Sequence, residues 1–410
     1  MTFPAAIAPQ EAATVVKPSV TATAAAQVAT AAAGKPPDRE ALLAFITQEL
    51  AKTAAHHDKT GELPRANLAL LHRHGLLALA VPPEFGGPGE SLARLRHVVG
   101  AVAKGEPSTA LLLAMQYIHH HCALQKPGWP HALRARVYRD ALREGALINS
   151  FRVESAAGSP VRGGLPATTA RRVSDGWRLS GTKICASGID GVTWLLVWAK
   201  SDDPVPLVGA WLVRRDSPGI RVIEAWDYLG MRATGSHTVV FEDVPVTLEH
   251  AIGVFPAAQP PAPEATAPQF QRANSALLAA LYDGVARAAR DAFIDWLKRT
   301  APTSLGQPLA SLPTLRQEAG RLDGILLQNR FLLDALAGEA PLRENEAGQL
   351  QAAITENAAT ITGRILELAG NHGLPHSSPF QRHHRDALCG RVHTPQRDFV
   401  WSAAGKLALA

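Results

Sequence analysis

Residues 226–246 read WDYLGMRATGSHTVVFEDVPV, an aromatic opening and a Gly-Met-Arg turn followed by a run rich in β-branched residues. The closing run, HTVVFEDV (237–244), is the last of six β-rich segments, preceded by ALINSFRV (146–153), TTARRV (168–173), TWLLVWAK (193–200), VGAWLVRR (208–215) and GIRVIEAW (219–226). Ser174-Asp175-Gly176 and Asp216-Ser217-Pro218-Gly219 supply turns between them. No helical stretch intervenes, so the segments predict an antiparallel sheet or small barrel, a central β-domain over residues 147–253.

On either side of this block the pattern turns helical. Residues 1–38 are Ala/Thr/Pro/Val low complexity with almost no charge, which predicts a disordered extension. From Asp38, a candidate N-cap, Leu42, Ile46 and Leu50 recur at helical spacing, and Leu68, Leu71 and the stop at Gly75 mark a second helix. After the loop PPEFGGPGE (82–90), helices resume through SLARLRHVVGAVAKG (91–105) and STALLLAMQYIHHHCAL (108–124), giving an N-terminal helical domain over 39–146. Downstream, FPAAQPPAPEATAP (255–268) reads as a linker, assigned 254–270. Amphipathic segments at 275–299, 312–338 and 343–370 and a last helix, DFVWSAAGKLAL (398–409), then form a C-terminal bundle over 271–410.

Composition narrows the function classes. At 410 residues, 46% hydrophobic and 19% charged, the chain has the make-up of a globular protein of two or three domains. Its net charge of +5 comes from scattered arginines with no continuous run, which argues against a nucleic-acid groove and allows a phosphate-bearing small molecule. Cys122, Cys185 and Cys389 lack CxxC spacing, so no disulfide framework or zinc site is expected. Without a run of 18 apolar residues or a signal-peptide pattern, the expectation is a cytoplasmic protein with no membrane partner.

The order helix, sheet, helix bundle resembles the acyl-CoA dehydrogenase superfamily from residue 39 onward. The strings that carry the resemblance are RVESAAGSP (152–160), similar to the family's flavin loop at Glu154, Ala157, Gly158 and Ser159 but not at Val153, Ser155 or Pro160; DGWRLSGTKICASG (175–188); the Gly-Met-Arg-x-Thr-Gly-Ser run of 230–236; and ELAGNHGL (367–374). The resemblance implies an α+β fold with an N-terminal helical domain, a central antiparallel β-domain and a C-terminal four-helix bundle. It further implies a flavin, FMN or FAD, contacted by Ser150, Val153, Gly158, Ser159 and Ser187, with Arg299 meeting a pyrophosphate. Gly370 and Gly373 would meet the cofactor of a neighbouring subunit, implying a homotetramer or homodimer. Asn371 and Glu367 depart from the family pattern there and weaken the grip on an adenosine, which favours FMN or a loosely held flavin.

A dehydrogenase of this family needs a carboxylate to take the substrate's α-proton. The two places where the family carries it fall here near Thr394, counted from Arg385-Asp386, and near Asn274, and neither is a base. The titratable neighbour is His393, within HHRDALCGRVHTPQRD (383–398). A histidine at this turn resembles the reduced-flavin monooxygenases of the dibenzothiophene monooxygenase and nitrososynthase kind, which take flavin from a separate reductase and pass oxygen from O2 to a small organic substrate. An imidazole can give or take a proton near neutral pH, although the same residue could be a surface histidine in a basic turn.

A second cluster, YIHHHCAL (117–124), lies on the helix that the family sets beside the flavin. Residues there are 100° apart, so at most two of the three histidines reach one cavity; His120 is the first candidate and His119 the second. The alternatives are a solvated helix face or a weak metal cluster. A dehydrogenase using Glu154, Asp386 or Asp398 as base, and a non-catalytic scaffold that binds flavin or CoA thioesters, remain competing readings.

Overall fold

The computed structural model describes residues 38–122, 124, 128–155, 164–259, 268–343 and 345–410. Packing separates a unit ending at Leu42 from a unit spanning Leu43–Ala410. In the first, Asp38 caps the chain's entry into a helix: its Oδ1 accepts from the Glu40 N–H at 3.0 Å.

Five helices come first: α1 (Arg39–Thr60), α2 (Arg65–Arg73), α3 (Leu92–Gly105), α4 (Pro107–His121) and α5 (His131–Glu144). Along α1, Leu43, Ile46, Leu50 and Ala54 are buried at three- and four-residue spacing, which lays one apolar stripe inward. Glu106 starts α4, its carboxylate accepting from the N–H groups of Ser108 (3.0 Å) and Thr109 (2.6 Å), with Pro107 at the first helical position. Helix α4 is buried nearly all round, its apolar run Ala110–Met115 flanked by buried polar residues such as Thr109 and Gln116, and packs on both the sheet and the C-terminal bundle.

Eight strands follow, β1 (Leu147–Phe151), β2 (Thr169–Val173), β3 (Gly176–Ala186), β4 (Val192–Ser201), β5 (Leu207–Arg214), β6 (Ile220–Ile223), β7 (His237–Val246) and β8 (Ala251–Pro256). They form one sheet in the order β6-β7-β3-β2-β4-β5-β8, with β1 alongside β4. The consecutive pairs β2–β3 and β4–β5, joined by short turns, are antiparallel, and so is β6–β7 across the longer segment 224–236. The sheet is nonetheless mixed, because β1 and β2 each run parallel to β4. Trp194, Leu196, Leu212 and Ile252 of the sheet pack against Trp129, Leu133, Val137 and Tyr138 of the helical layer.

The bundle consists of α6 (Pro268–Arg299), α7 (Pro313–Ala337), α8 (Glu346–Ala369) and α9 (Pro379–Leu388), with α10 (Arg397–Leu409) laid on α8. Small residues let α6 approach its neighbours closely: Ala276, Ala279 and Ala280 meet Leu333, Leu336 and Ile354. A side chain at Gly284 would come within 2.5 Å of the Gly100 carbonyl of α3. Between these helices Asp283 accepts from Asn329 Nδ2 (2.9 Å) and Arg287 Nε (2.6 Å), and Asn329 accepts from Asn357 (2.7 Å), so the buried polar groups are paired across three helices. No helix among the described residues is long and apolar enough to cross a membrane.

Candidate active site

The Gly-Met-Arg turn and the Arg385-Asp386 pair fit together as a clamp. Asp386 is buried on α9 and accepts the Met231 N–H at 2.7 Å. Arg385 grips Asp58 of α1 through two nitrogens (3.0 and 2.6 Å) and donates to the Leu229 carbonyl at 2.6 Å. Gly230 must be glycine because a Cβ there would collide with the Arg385 carbonyl, and Met231 takes a positive φ of 52° to present its N–H. Burial raises the Asp386 carboxyl to about 7 against the Met231 hydrogen bond, with Asp58 and Glu106 nearby.

From this clamp a line of hydroxyls leads to Ser187. Thr234 Oγ donates to the Met231 carbonyl (2.9 Å) and lies 2.7 Å from Ser236 Oγ, which donates to Ser187 Oγ at 2.8 Å. The Ser187 carbonyl accepts from Asn149 Nδ2 of β1 (3.0 Å), and Ser187 follows Cys185, whose φ of 53° turns the chain out of β3. Ser187 Oγ stands at the end of this line of hydroxyls, half-buried. The adjoining segment is held by Glu154, which accepts from Lys183 Nζ (2.5 Å), Thr168 Oγ (2.6 Å) and the N–H groups of Ala167 (2.7 Å) and Thr168 (3.0 Å). Burial opposes ionisation of Glu154, but these four donors outweigh it and hold its carboxyl at about 2. Val153 joins the same framework by accepting the Ile184 N–H at 3.0 Å.

The turn from Cys389 to Arg397 forms an arch pinned at both feet. Arg391 meets Glu356 of α8 through two nitrogens (3.0 and 2.9 Å), and Arg397 meets the same carboxylate at 2.6 Å. The basic character of this stretch is thus structural at those two residues. Between the feet, His393 Nδ1 lies 2.5 Å from the hydroxyl of Tyr282 on α6, and the Thr394 carbonyl accepts from Asn274 Nδ2 at 2.8 Å. The two positions at which the resemblance looks for a carboxylate are therefore neighbours in space, and both are neutral. Burial lowers the His393 imidazole to about 4, so it is uncharged at neutral pH.

The histidines of α4 face different ways. His120 is fully buried edge-on against Tyr138 of α5 (5.4 Å between rings). Leu112, whose side chain a Cβ on Gly188 would meet at 2.7 Å, is seven residues before His119, so these two share the face turned toward the Ser187 corner. Among the described residues no group of three His, Cys, Asp or Glu side chains is arranged to hold a metal.

Ser150 is half-buried on β1 opposite Leu196. Arg299 is exposed at the end of α6, donating to its own helix at the Asp295 carbonyl (3.2 Å). Gly370 and Gly373 close α8, the first at a φ of 53° and the second packed where a Cβ would meet Leu366 at 2.7 Å. Gly158 and Ser159 lie outside the described residues. A cavity of about 360 Å³ bounded by Lys104, Arg287, Arg290, Asp323 and Arg330 contains none of these groups. Tyr282, Glu356 and Asn149 belong to the arrangement without having been singled out in the sequence, because each is defined by a partner distant along the chain, whereas Thr234 and Ser236 lie within the Gly-Met-Arg-x-Thr-Gly-Ser run.

A mixed sheet packed on helices, a hydroxyl-lined strand end and an arch from the last helical bundle make up an acyl-CoA dehydrogenase-like fold. The chain belongs to the acyl-CoA dehydrogenase family: the family's N-terminal domain matches residues 39–128, its middle domain 153–244 and a C-terminal domain 276–397. It is 29% identical over 367 residues to the putative acyl-CoA dehydrogenase YdbM of Bacillus subtilis, covering 87% of this chain and 92% of that protein. It is also 29% identical over 374 residues to an amino sugar nitrososynthase of Streptomyces rubradiris, covering 87% and 86%. A crystal structure of KijD3 in complex with FMN and a dTDP-linked amino keto sugar superimposes with a TM-score of 0.73 at 28% identity, covering 90% of this chain and 92% of that one.

Proposed function

We propose that this protein is a flavin-dependent monooxygenase that uses reduced flavin and O2 to oxidise a small organic substrate. One observation carries the reading: Asn274 and Thr394, where the family's dehydrogenases would carry their base, hydrogen-bond each other (2.8 Å), and a neutral imidazole stands next to them. The competing bases are otherwise engaged. Glu154 is held ionised at about 2 by Lys183 and three further donors. Asp386 is turned into the clamp, and Asp398 is exposed beside Arg397 (3.3 Å).

The residues fit a flavin. Ser187 presents its hydroxyl at a half-buried edge, and Ser150 and Val153 lie at the adjoining strand end; Gly158 and Ser159, the next candidates in the sequence, lie outside the described residues. Arg299, Gly370 and Gly373 serve a phosphate-bearing tail or a partner subunit's cofactor. The flavin supplies electrons to O2. His393 and His119 hold protons beside it, and the apolar α4 excludes water from one side. The FMN-bound relative and the nitrososynthase support this reading, as the putative acyl-CoA dehydrogenase supports the alternative. A separate flavin reductase, assembly as a homotetramer or homodimer and a cytoplasmic location belong to the same proposal.

The test uses the purified full chain. Product that forms with O2 only when a flavin reductase and NAD(P)H are added supports the monooxygenase; anaerobic bleaching of bound flavin by an acyl-CoA selects a dehydrogenase instead, and retained ligand binding without either selects a scaffold. Within the monooxygenase, His393→Ala should lower coupled turnover by about 10²–10⁴-fold, the usual loss for a positioned acid–base group, with the missing turnover appearing as hydrogen peroxide. Retention of more than about a tenth of coupled turnover removes His393 from the chemistry.

A further inference from the structure

We propose that Tyr282 is a positioning residue that fixes the tautomer of His393, donating its hydroxyl proton to Nδ1 so that the imidazole meets the site as an Nε2–H donor. The proposal rests on the reading of His393 as the residue that works beside the flavin. Tyr282 sits on α6 two turns beyond Asn274 and is fully buried, and its hydroxyl oxygen is 2.5 Å from His393 Nδ1. No other hydrogen-bond partner of that hydroxyl exists among the described residues.

This isolation decides the direction of the bond. A buried O–H carries one proton, and if Nδ1 were the donor that proton would face no acceptor; with Nδ1 as acceptor, the hydroxyl is satisfied. Tyrosine stays protonated at this place, because burial, with Cys389 and Asp386 nearby, pushes its ionisation well above the ordinary value. The ring has a fixed seat as well. Gly390 leaves room for the arch to lie on the Tyr282 ring, where a Cβ would stand 3.1 Å from it, and the two rings are 5.7 Å apart.

At the other end of the imidazole, Nε2 has no partner among the described residues and is not among the buried atoms left unpaired, so it reaches open space. With Nδ1 occupied by Tyr282, that nitrogen carries the proton. His393 then offers a hydrogen bond to an acceptor atom, such as a reduced oxygen or a substrate carbonyl, and is a poor substitute for the proton-taking carboxylate of a dehydrogenase. The tautomer thereby links the missing base to what the site can bind.

The test reads the tautomer directly by nitrogen NMR on the ligand-free full chain labelled with [15N]histidine, at neutral pH, with the His393 signals identified by their loss in His393→Gln. A protonated Nε2 with a bare Nδ1 is expected, and Tyr282→Phe should convert it to a mixture of the two tautomers. A protonated Nδ1 in the wild-type protein, or an unchanged Nε2–H tautomer in Tyr282→Phe, overturns the proposal. If the phenylalanine variant does not fold, the wild-type spectrum alone decides. Because the measurement needs no turnover, its failure is separate from a failure of the His393→Ala activity test.

Discussion

Two buried residues show how polar groups pull in opposite directions in this protein. Neither ring nitrogen of His120 has a hydrogen-bond partner among the described residues, and burial, helped by His119, lowers its imidazole to about 3. An unpaired buried polar group costs about 1–3 kcal/mol, so His120→Phe, which keeps the ring against Tyr138, should raise stability by about 1 kcal/mol in urea unfolding and leave turnover unchanged. A loss of turnover in a folded His120→Phe protein would return that residue to the chemistry. Asp386 is the opposite case. Its folded value of about 7 lies above its ordinary 3.8, so the folded state holds a proton that the unfolded chain releases. Its contribution is fully present below about pH 4 and is lost as pH rises through about 7. Asp386→Asn keeps a carbonyl for the Met231 N–H and should flatten this slope, making the variant the more stable protein at pH 8; parallel pH–stability curves for the two proteins would show that Asp386 is ionised at neutral pH.

The arch and the clamp are elements whose parts are far apart in sequence, and that distance governed what could be read in advance. HTVVFEDV announced β7 by composition, and the amphipathic segments announced α7 and α8 to within a few residues. Helix α6 starts at Pro268, inside residues that read as linker, because a proline at the first helical position looks like any other proline of a Pro/Ala stretch. Parallel pairing of β1 with β4 was not legible either, since turn signals fix only consecutive strands. His393 stood out through its neighbours in a motif, whereas Tyr282 is 111 residues away and had no local mark. Glu356 was equally silent, yet it anchors both feet of the arch. Glu356→Gln removes the charge that Arg391 and Arg397 share; partly exposed pairs contribute about 0.2–1 kcal/mol, so global stability should hardly change. The local effect should be larger: amide hydrogen exchange across 391–397 should speed up while the rest of α8 keeps its protection. An arch that exchanges as slowly as wild type would mean that packing of Gly390 on Tyr282, rather than the ion pairs, holds it.

At the scale of the whole molecule, the clamp joins the first helical layer, the turn before β7 and the bundle through Asp58, Met231 and Arg385-Asp386. The outer side of the bundle poses the remaining question. Leu327 and Phe331 project from α7 one turn apart and are 47% and 61% exposed, and α10 adds Phe399 and Trp401 at 51% and 46%. Large apolar groups concentrated on an otherwise amphipathic bundle are the expected signature of a face that another chain covers. Together with the turn at Gly370 and Gly373, which the family resemblance assigns to a neighbour's cofactor, they support a self-associated enzyme with α7 in the contact. Burying a leucine or phenylalanine stabilises by about 1.5–3 kcal/mol, and a symmetric contact uses each residue twice. Phe331→Asp should therefore raise the dissociation constant by about a hundredfold or more, since every 1.4 kcal/mol is a factor of ten. Sedimentation at micromolar concentration should find the wild-type protein as a dimer or tetramer and Phe331→Asp shifted toward monomer, with the far-ultraviolet circular dichroism of the two alike. A wild-type monomer under those conditions would leave Gly370 and Gly373 without a neighbour to serve, and an unshifted variant would move the contact from α7 to another face of the bundle.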